Sequence, residues 1–239
     1  VTATDEVGNA VSVPRNVIYD ITPPVLAIDN ANSLTNLPSQ VLTGAMEEGA
    51  KIAVNSATAT AGAVAYPTST TWKVIVSGFT AADNAITVTA TDGAGNVATA
   101  VARIIYDTTG PDGTIAISNG ATVTGAAQVQ LDLSASDPNG VTQMRLSGDG
   151  TTWTEATPFV SVTPWSLGGG DGIKQIYVQY QDKAGNWSNP FIVAITLDTT
   201  PPVITVVTPA AGSFVNNAQL TISGTVSEPV SSVTVNGVA

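Results

Sequence analysis

The chain has 239 residues, with 7 Lys+Arg against 18 Asp+Glu, a formal net charge of −11, no cysteine and no histidine. Those absences remove disulfide frameworks, thiol chemistry, zinc-type sites and every His-assisted nucleophile. The acidic balance makes nucleic acid and anionic membranes poor partners, and no apolar run approaches the length of a membrane span, so no membrane insertion is expected in this segment.

In chain order, residues 1–20 read VTATDEVGNAVSVPRNVIYD, two short alternating runs around a Gly/Asn turn, which is a hairpin signal. ITPP follows Asp20. The next strands are expected at 25–29, 40–46, 50–55 and 71–77, then 85–91 and 97–106 around the turn DGAGN. Asp107 leads into TTGP. A second series is expected at 113–118, 128–136, 141–147, 151–155 and 160–167, then 173–181 and 187–197 around DKAGN. Val129, Leu131, Leu133 and Ala135 alternate with Gln130, Asp132, Ser134 and Ser136, the pattern of a half-buried strand. Asp198 leads into TTPP and the last stretch. No segment holds helical periodicity. Trp72 and Trp165 each precede the final hairpin of a series and are expected in the core.

Residues 88–107 (VTATDGAGNVATAVARIIYD) and 178–198 (VQYQDKAGNWSNPFIVAITLD) repeat the opening twenty. The linker aspartates Asp20, Asp107 and Asp198 lie 87 and 91 residues apart, so the chain is an array of small units. The expected division is 1–19, the last strands of one repeat; 20–106 and 107–197, two whole repeats; and 198–239, the first half of another. Short strands, Gly turns and Pro-rich joints imply an all-β fold of tandem immunoglobulin-like β-sandwiches in a linear array. Units of this size bury a working core without staples.

The DxAGN turn, the strand after it and the DTTPP joint, with SGDGTTW at 147–153 and the PW pair at 164–165, resemble the bacterial Ig-like repeat domains of large extracellular adhesins and surface proteins. The resemblance covers the whole chain. It implies an exported bacterial location at the cell surface and a repeat array, and says little about what is bound.

In such a sandwich the incoming linker and the loops after the second and sixth strands share one end. Three acids recur there with the repeat's own period. They are the linker residues Asp20, Asp107 and Asp198, the hairpin residues Asp5, Asp92 and Asp182, and Glu48, Asp137 and Glu228 after the second strand. From the opposite end of the preceding repeat, Asp83 or Asn84 and Asp171 could join them, with Asn186 from the turn. Calcium takes six to eight oxygens from carboxylates, amides, carbonyls and water, and cadherin-type ectodomains hold their joints with it in this manner. Calcium is therefore one cofactor such a set could hold. The competing reading has each Asp cap its own turn by accepting backbone N–H bonds.

Two functions follow. In the first, serial sandwiches form a spacer, the stalk of an adhesin or a surface filament, whose partners are neighbouring repeats and other copies of the chain. In the second, the array binds a glycan or a host or cell-surface protein, alone or appended to a secreted enzyme, with Trp153 and Trp187 as the best exposed aromatics. Neither Trp has a counterpart in the first repeat. No catalytic constellation is present, and an enzyme is not expected.

Overall fold

A computed structural model describes residues 1–80 and 82–235; the end of the expected final segment, 236–239, lies outside the described residues. Two compact units divide the chain. One comprises Val1–Asp112, Ser136–Thr142 and Tyr180–Ser188, and the other Gly113–Ala135, Gln143–Gln179 and Asn189–Ala239. All regular structure among the described residues is strand.

The first unit opens with β1 (Thr2–Thr4) and β2 (Ala10–Ser12), an antiparallel hairpin with Thr2 opposite Ser12. Eight strands follow: β3 (Asn32–Thr35), β4 (Ser39–Ala45), β5 (Lys51–Asn55), β6 (Thr60–Ala61), β7 (Ala65–Thr68), β8 (Thr71–Ser77), β9 (Asp83–Thr91) and β10 (Val97–Tyr106). One sheet has the order β4-β8-β6, with β7 also on β8, and the other β3-β10-β9-β5. The chain before β3 first bonds to β4, through Ala27 N to Ala45 O and Asp29 N to Thr43 O, both 2.9 Å. It then crosses to the other sheet, where β3 runs parallel to β10. An edge segment that serves both sheets in turn blunts two open edges with one stretch of chain.

Alternation decides what is buried. Leu42, Trp72, Val74 and Val76 face inward from one sheet, and Ile52, Ile86, Val88, Ala90, Ala102 and Ile104 from the other, forming one core. Each fully buried large side chain contributes about 1.5–3 kcal/mol relative to exposure. Trp72 is 1% exposed, and its indole N–H donates to Ala45 O at 3.3 Å. The neighbouring Gly44 leaves it room, since a Cβ there would lie 1.9 Å from Ala27 O and 2.8 Å from the indole.

The second series repeats the plan with β11 (Asp112–Ile117), β12 (Val123–Thr124), β13 (Gln128–Ser136), β14 (Val141–Ser147), β15 (Thr157–Pro158), β16 (Val162–Ser166), β17 (Gly172–Asp182) and β18 (Phe191–Leu197). Its sheets are β11-β13-β16 and β12-β18-β17-β14-β15, with β12 parallel to β18 as β3 is to β10. Leu131, Leu133, Met144, Ile176, Val178, Tyr180 and Ile195 are buried from the two sheets. A ribbon of β19 (Ile204–Thr208) and β20 (Ser223–Val226) ends the described strands. The fold is thus all-β with tandem immunoglobulin-like sandwiches, as the sequence implies.

Three expectations are corrected. The strand expected at 151–155 shrinks to a bridge of Trp153 with Ser147 and the bond from Thr154 N to Leu146 O, because the Asp149 carboxylate holds 151–152 in a turn by capturing the N–H groups of Thr151 (2.8 Å) and Thr152 (2.6 Å) and the Ser147 hydroxyl (2.9 Å). The last strand begins at Phe191 rather than 187, since Pro190 has no N–H to offer the ladder. Trp165 is only half-buried, unlike Trp72.

Candidate metal centre

The Asp-x-x-Gly-Asn turn has the same internal bonds wherever it occurs. Asp92 Oδ1 accepts the N–H groups of Ala94 and Asn96, both at 2.8 Å, and Oδ2 accepts Asn96 Nδ2 at 2.9 Å. Asp182 Oδ1 accepts from Gly185 N (2.6 Å) and Asn186 N (2.8 Å), and Oδ2 from Asn186 Nδ2 (2.8 Å). Asp5 does likewise with Val7 and Asn9. These donors stabilise the ionised carboxylate. The Asn96 amide and N–H groups hold the Asp92 carboxyl below its ordinary range, and Asn9 does the same for Asp5.

The turn asparagine also reaches beyond its own hairpin. Asn96 Nδ2 donates to the linker carbonyl Asp20 O at 3.1 Å, and Asn186 Nδ2 donates to Asp107 O at 2.9 Å. Each linker aspartate then folds back on its own chain: the carboxylates of Asp20, Asp107 and Asp198 accept the N–H of Thr22 (3.0 Å), Thr109 (3.0 Å) and Thr200 (3.2 Å). The linker after Asp107 runs so close to the hairpin that a Cβ on Gly110 would lie 2.5 Å from Trp187 O.

At Asp107 the loop after β13 closes the set. Asn139 Nδ2 donates to Asp107 Oδ2 at 2.6 Å, Asn139 N to Asp137 Oδ1 at 2.7 Å, and Lys183 N to Gly140 O at 3.0 Å. Carboxylate oxygens of Asp107, Asp137 and Asp182 come within 4.8 Å of one another. Asp182 is 2% exposed, while Asp107 and Asp137 are half-buried. The donor set is all hard oxygen with three negative charges, which suits calcium or magnesium and not zinc. Asp107 O lies beside it, and the amides of Asn139 and Asn186 would add oxygens by turning about their terminal torsion.

Among the described residues this is the only grouping of three or more acids with such convergence. The equivalent residues Asp20, Glu48 and Asp92 are not gathered in this way; there Glu47 and Glu48 are both exposed, and Glu47 Oε2 accepts Val25 N at 3.3 Å. Asp198 and Glu228 are not gathered either. Asp83 forms an ion pair with Arg103 on the adjacent strand, and the buried Asn84 donates to Ile104 O at 3.2 Å. Asp171 instead secures the 198–200 linker, accepting Thr199 N at 2.8 Å and Thr199 Oγ1 at 2.7 Å. The Thr200 hydroxyl first, and then the Thr199 hydroxyl and N–H, hold its carboxyl at about 2. Asn139 was not singled out from the sequence, although its place after Asp137-Pro138 puts it in the same turn. The two aromatics expected to be exposed, Trp153 and Trp187, are both half-buried, and Trp153 lies under the Arg145 guanidinium, 5.0 Å from its ring centre.

No family model matches the chain, and no curated protein matches it. Among solved structures it is similar to a fragment of a 1.5-MDa bacterial ice-binding adhesin, with 18% identity over 80% of this chain and 71% of that one and a TM-score of 0.43. It is similar to the I67–I69 fragment of titin, with 12% identity over 86% and 77% and a TM-score of 0.45. A tetra-tandem repeat from the extending region of a large adhesion protein shares 20% identity over 86% and 57%, at a TM-score of 0.32. At these values none of the three carries the functional argument, which rests on the residues themselves.

Proposed function

We propose that this chain is a spacer segment of an extracellular repeat protein, and that a divalent cation, calcium first, binds at Asp107, Asp137 and Asp182 to secure the linker. The observation that carries the reading is the pair of matching bonds from Asn96 to Asp20 O and from Asn186 to Asp107 O. A hairpin that seizes the preceding linker, in the same way at two successive repeats, serves the geometry of a chain of repeats rather than recognition of a small ligand. Prolines after Asp20 and Asp198, and Pro111 after Asp107, fix φ near −65° and narrow the linker's freedom further. The acids add what an extended surface protein in a calcium-rich medium can use. Three carboxylates this close repel one another, and a cation of charge two converts that repulsion into a crosslink among linker, loop and hairpin.

The test is solution scattering on the whole chain in chelator and in calcium, for the parent and for Asp107→Ala. Calcium should lengthen the maximum dimension or narrow its distribution in the parent, and should leave D107A unchanged. Profiles that superimpose for the parent with and without calcium would remove the cation from the account.

A further inference from the structure

Two Asn-Gly pairs lie among the described residues, Asn119-Gly120 and Asn139-Gly140. Asn-Gly is the dipeptide most open to self-cyclisation, because a glycine on the carboxyl side offers no side chain to block its backbone nitrogen. Asn119 is exposed in the turn after β11. Asn139 is held. Its amide donates to Asp107 Oδ2 at 2.6 Å, and the Gly140 N–H that would attack it donates to Asp137 O at 3.0 Å. The Gly120 N–H is similarly tied, to Ile117 O at 2.8 Å. Asn119 also sits in the left-handed region, at φ 61°, and is the more exposed of the two, whereas the side chain of Asn139 is in the grip of Asp107.

We propose that Asn139-Gly140 is a spontaneous deamidation site gated by Asp107, and that the modified residue delivers a fourth carboxylate to the Asp107, Asp137 and Asp182 set. In the first step the Gly140 backbone nitrogen loses its proton to water and bonds to Asn139 Cγ, and the side-chain nitrogen leaves as ammonia. Water then opens the cyclic imide at either carbonyl, giving an aspartyl or an isoaspartyl residue at position 139. No oxidant or reductant takes part.

Two consequences follow from the positions. The product cannot donate to Asp107, so the bond between linker and loop is lost, and a fourth negative charge enters a cluster that already holds three. Without a cation that is a repulsive change. With one, the neutral amide oxygen of position 139 is exchanged for a charged carboxylate oxygen, and affinity rises with the number of charged ligands. This second consequence rests on the cation reading above; the modification itself does not.

The full chain is incubated in mildly alkaline buffer with chelator, and deamidation at 139 and 119 is followed by peptide mass spectrometry in the parent and in Asp107→Ala. Position 139 should convert about tenfold more slowly than 119 in the parent, the factor one charge-assisted hydrogen bond carries, and should approach the 119 rate in D107A. Equal rates at both positions in the parent, or no change at 139 in D107A, would overturn the gating. The 119 rate also reports folding. Were it to rise in D107A, Asp107→Asn, which keeps a neutral acceptor, would be read instead, with an intermediate rate expected at 139. Calcium titration of N139D against the parent by calorimetry addresses the fourth ligand: affinity should rise about tenfold, and an unchanged or weaker affinity would overturn it. If neither chain binds calcium, the cation reading and the fourth ligand fall together, while the mass spectra decide the modification site alone.

Discussion

Asp137→Asn should have opposite effects with and without calcium. The three acids present carboxylate oxygens within 4.8 Å of one another. At that separation two unit charges repel by about 0.9 kcal/mol at the dielectric of water and about 3.5 kcal/mol at an effective dielectric of about 20. Removing the Asp137 charge relieves two of the three pairs, a gross gain of about 2–7 kcal/mol. Salt, solvent over the half-buried Asp107 and Asp137, and the N–H donors already aimed at the cluster reduce this to about 1–2 kcal/mol. Asparagine keeps an oxygen for the Asn139 N–H, so the turn itself survives. In chelator, D137N should therefore melt about 4–8 °C above the parent for each kcal/mol gained. In calcium at about 100 times the dissociation constant, the parent gains about 2.7 kcal/mol by mass action, and D137N loses most of that gain. The assay is thermal unfolding by circular dichroism in both buffers. A variant that is less stable than the parent by the same amount in each would refute the reasoning.

Other perturbations read different parts of the account. Trp72→Ala, at a site 1% exposed, should cost about 3–5 kcal/mol in urea denaturation, because the core cannot collapse into the space. Gly110→Ala forces a Cβ against the Trp187 carbonyl and should cost about 1–3 kcal/mol, whereas a surface alanine elsewhere would cost little. Asp171 should titrate near 2 by NMR rather than near its ordinary 3.8, with Thr199→Ala and Thr200→Val moving it back up. Since its folded value is the depressed one, the stability it contributes is complete above about 3.8 and is lost as pH falls through about 2. A midpoint unchanged in both threonine variants would show that those hydroxyls do not hold it.

Most strand positions were readable because burial imposes strict alternation. The strands at 128–136 and 141–147 end where Pro138, Gly140 and Gly148 break the pattern, and the observed bounds agree. The crossing edge segments β3 and β12 were not readable. Stretches of four and two residues, NSLT and VT, carry no periodicity, and only pairing with β10 and β18 makes them strands. The turn at 151–152 misled because its threonines favour strands, while the Asp149 carboxylate takes their N–H groups first. For the acids, spacing located the right end of each repeat but not side-chain direction. Glu48 has the period of Asp137, yet Glu47 is the residue whose carboxylate turns to the backbone, and Asp83 had a cation beside it on the next strand. The linker clamps of Asn96 and Asn186 were hidden because a DxxGN turn explains its asparagine locally, and only the three-dimensional path of the linker reveals the second bond.

The most direct measurement is a calcium titration followed through the backbone amides by heteronuclear NMR. Saturable shifts confined to the neighbourhoods of Asp107, Asn139 and Asn186, with the Asp20 and Asp92 region quiet, are the predicted outcome. Shifts spread evenly over all the exposed carboxylates without saturation, or none at these three places, would contradict it.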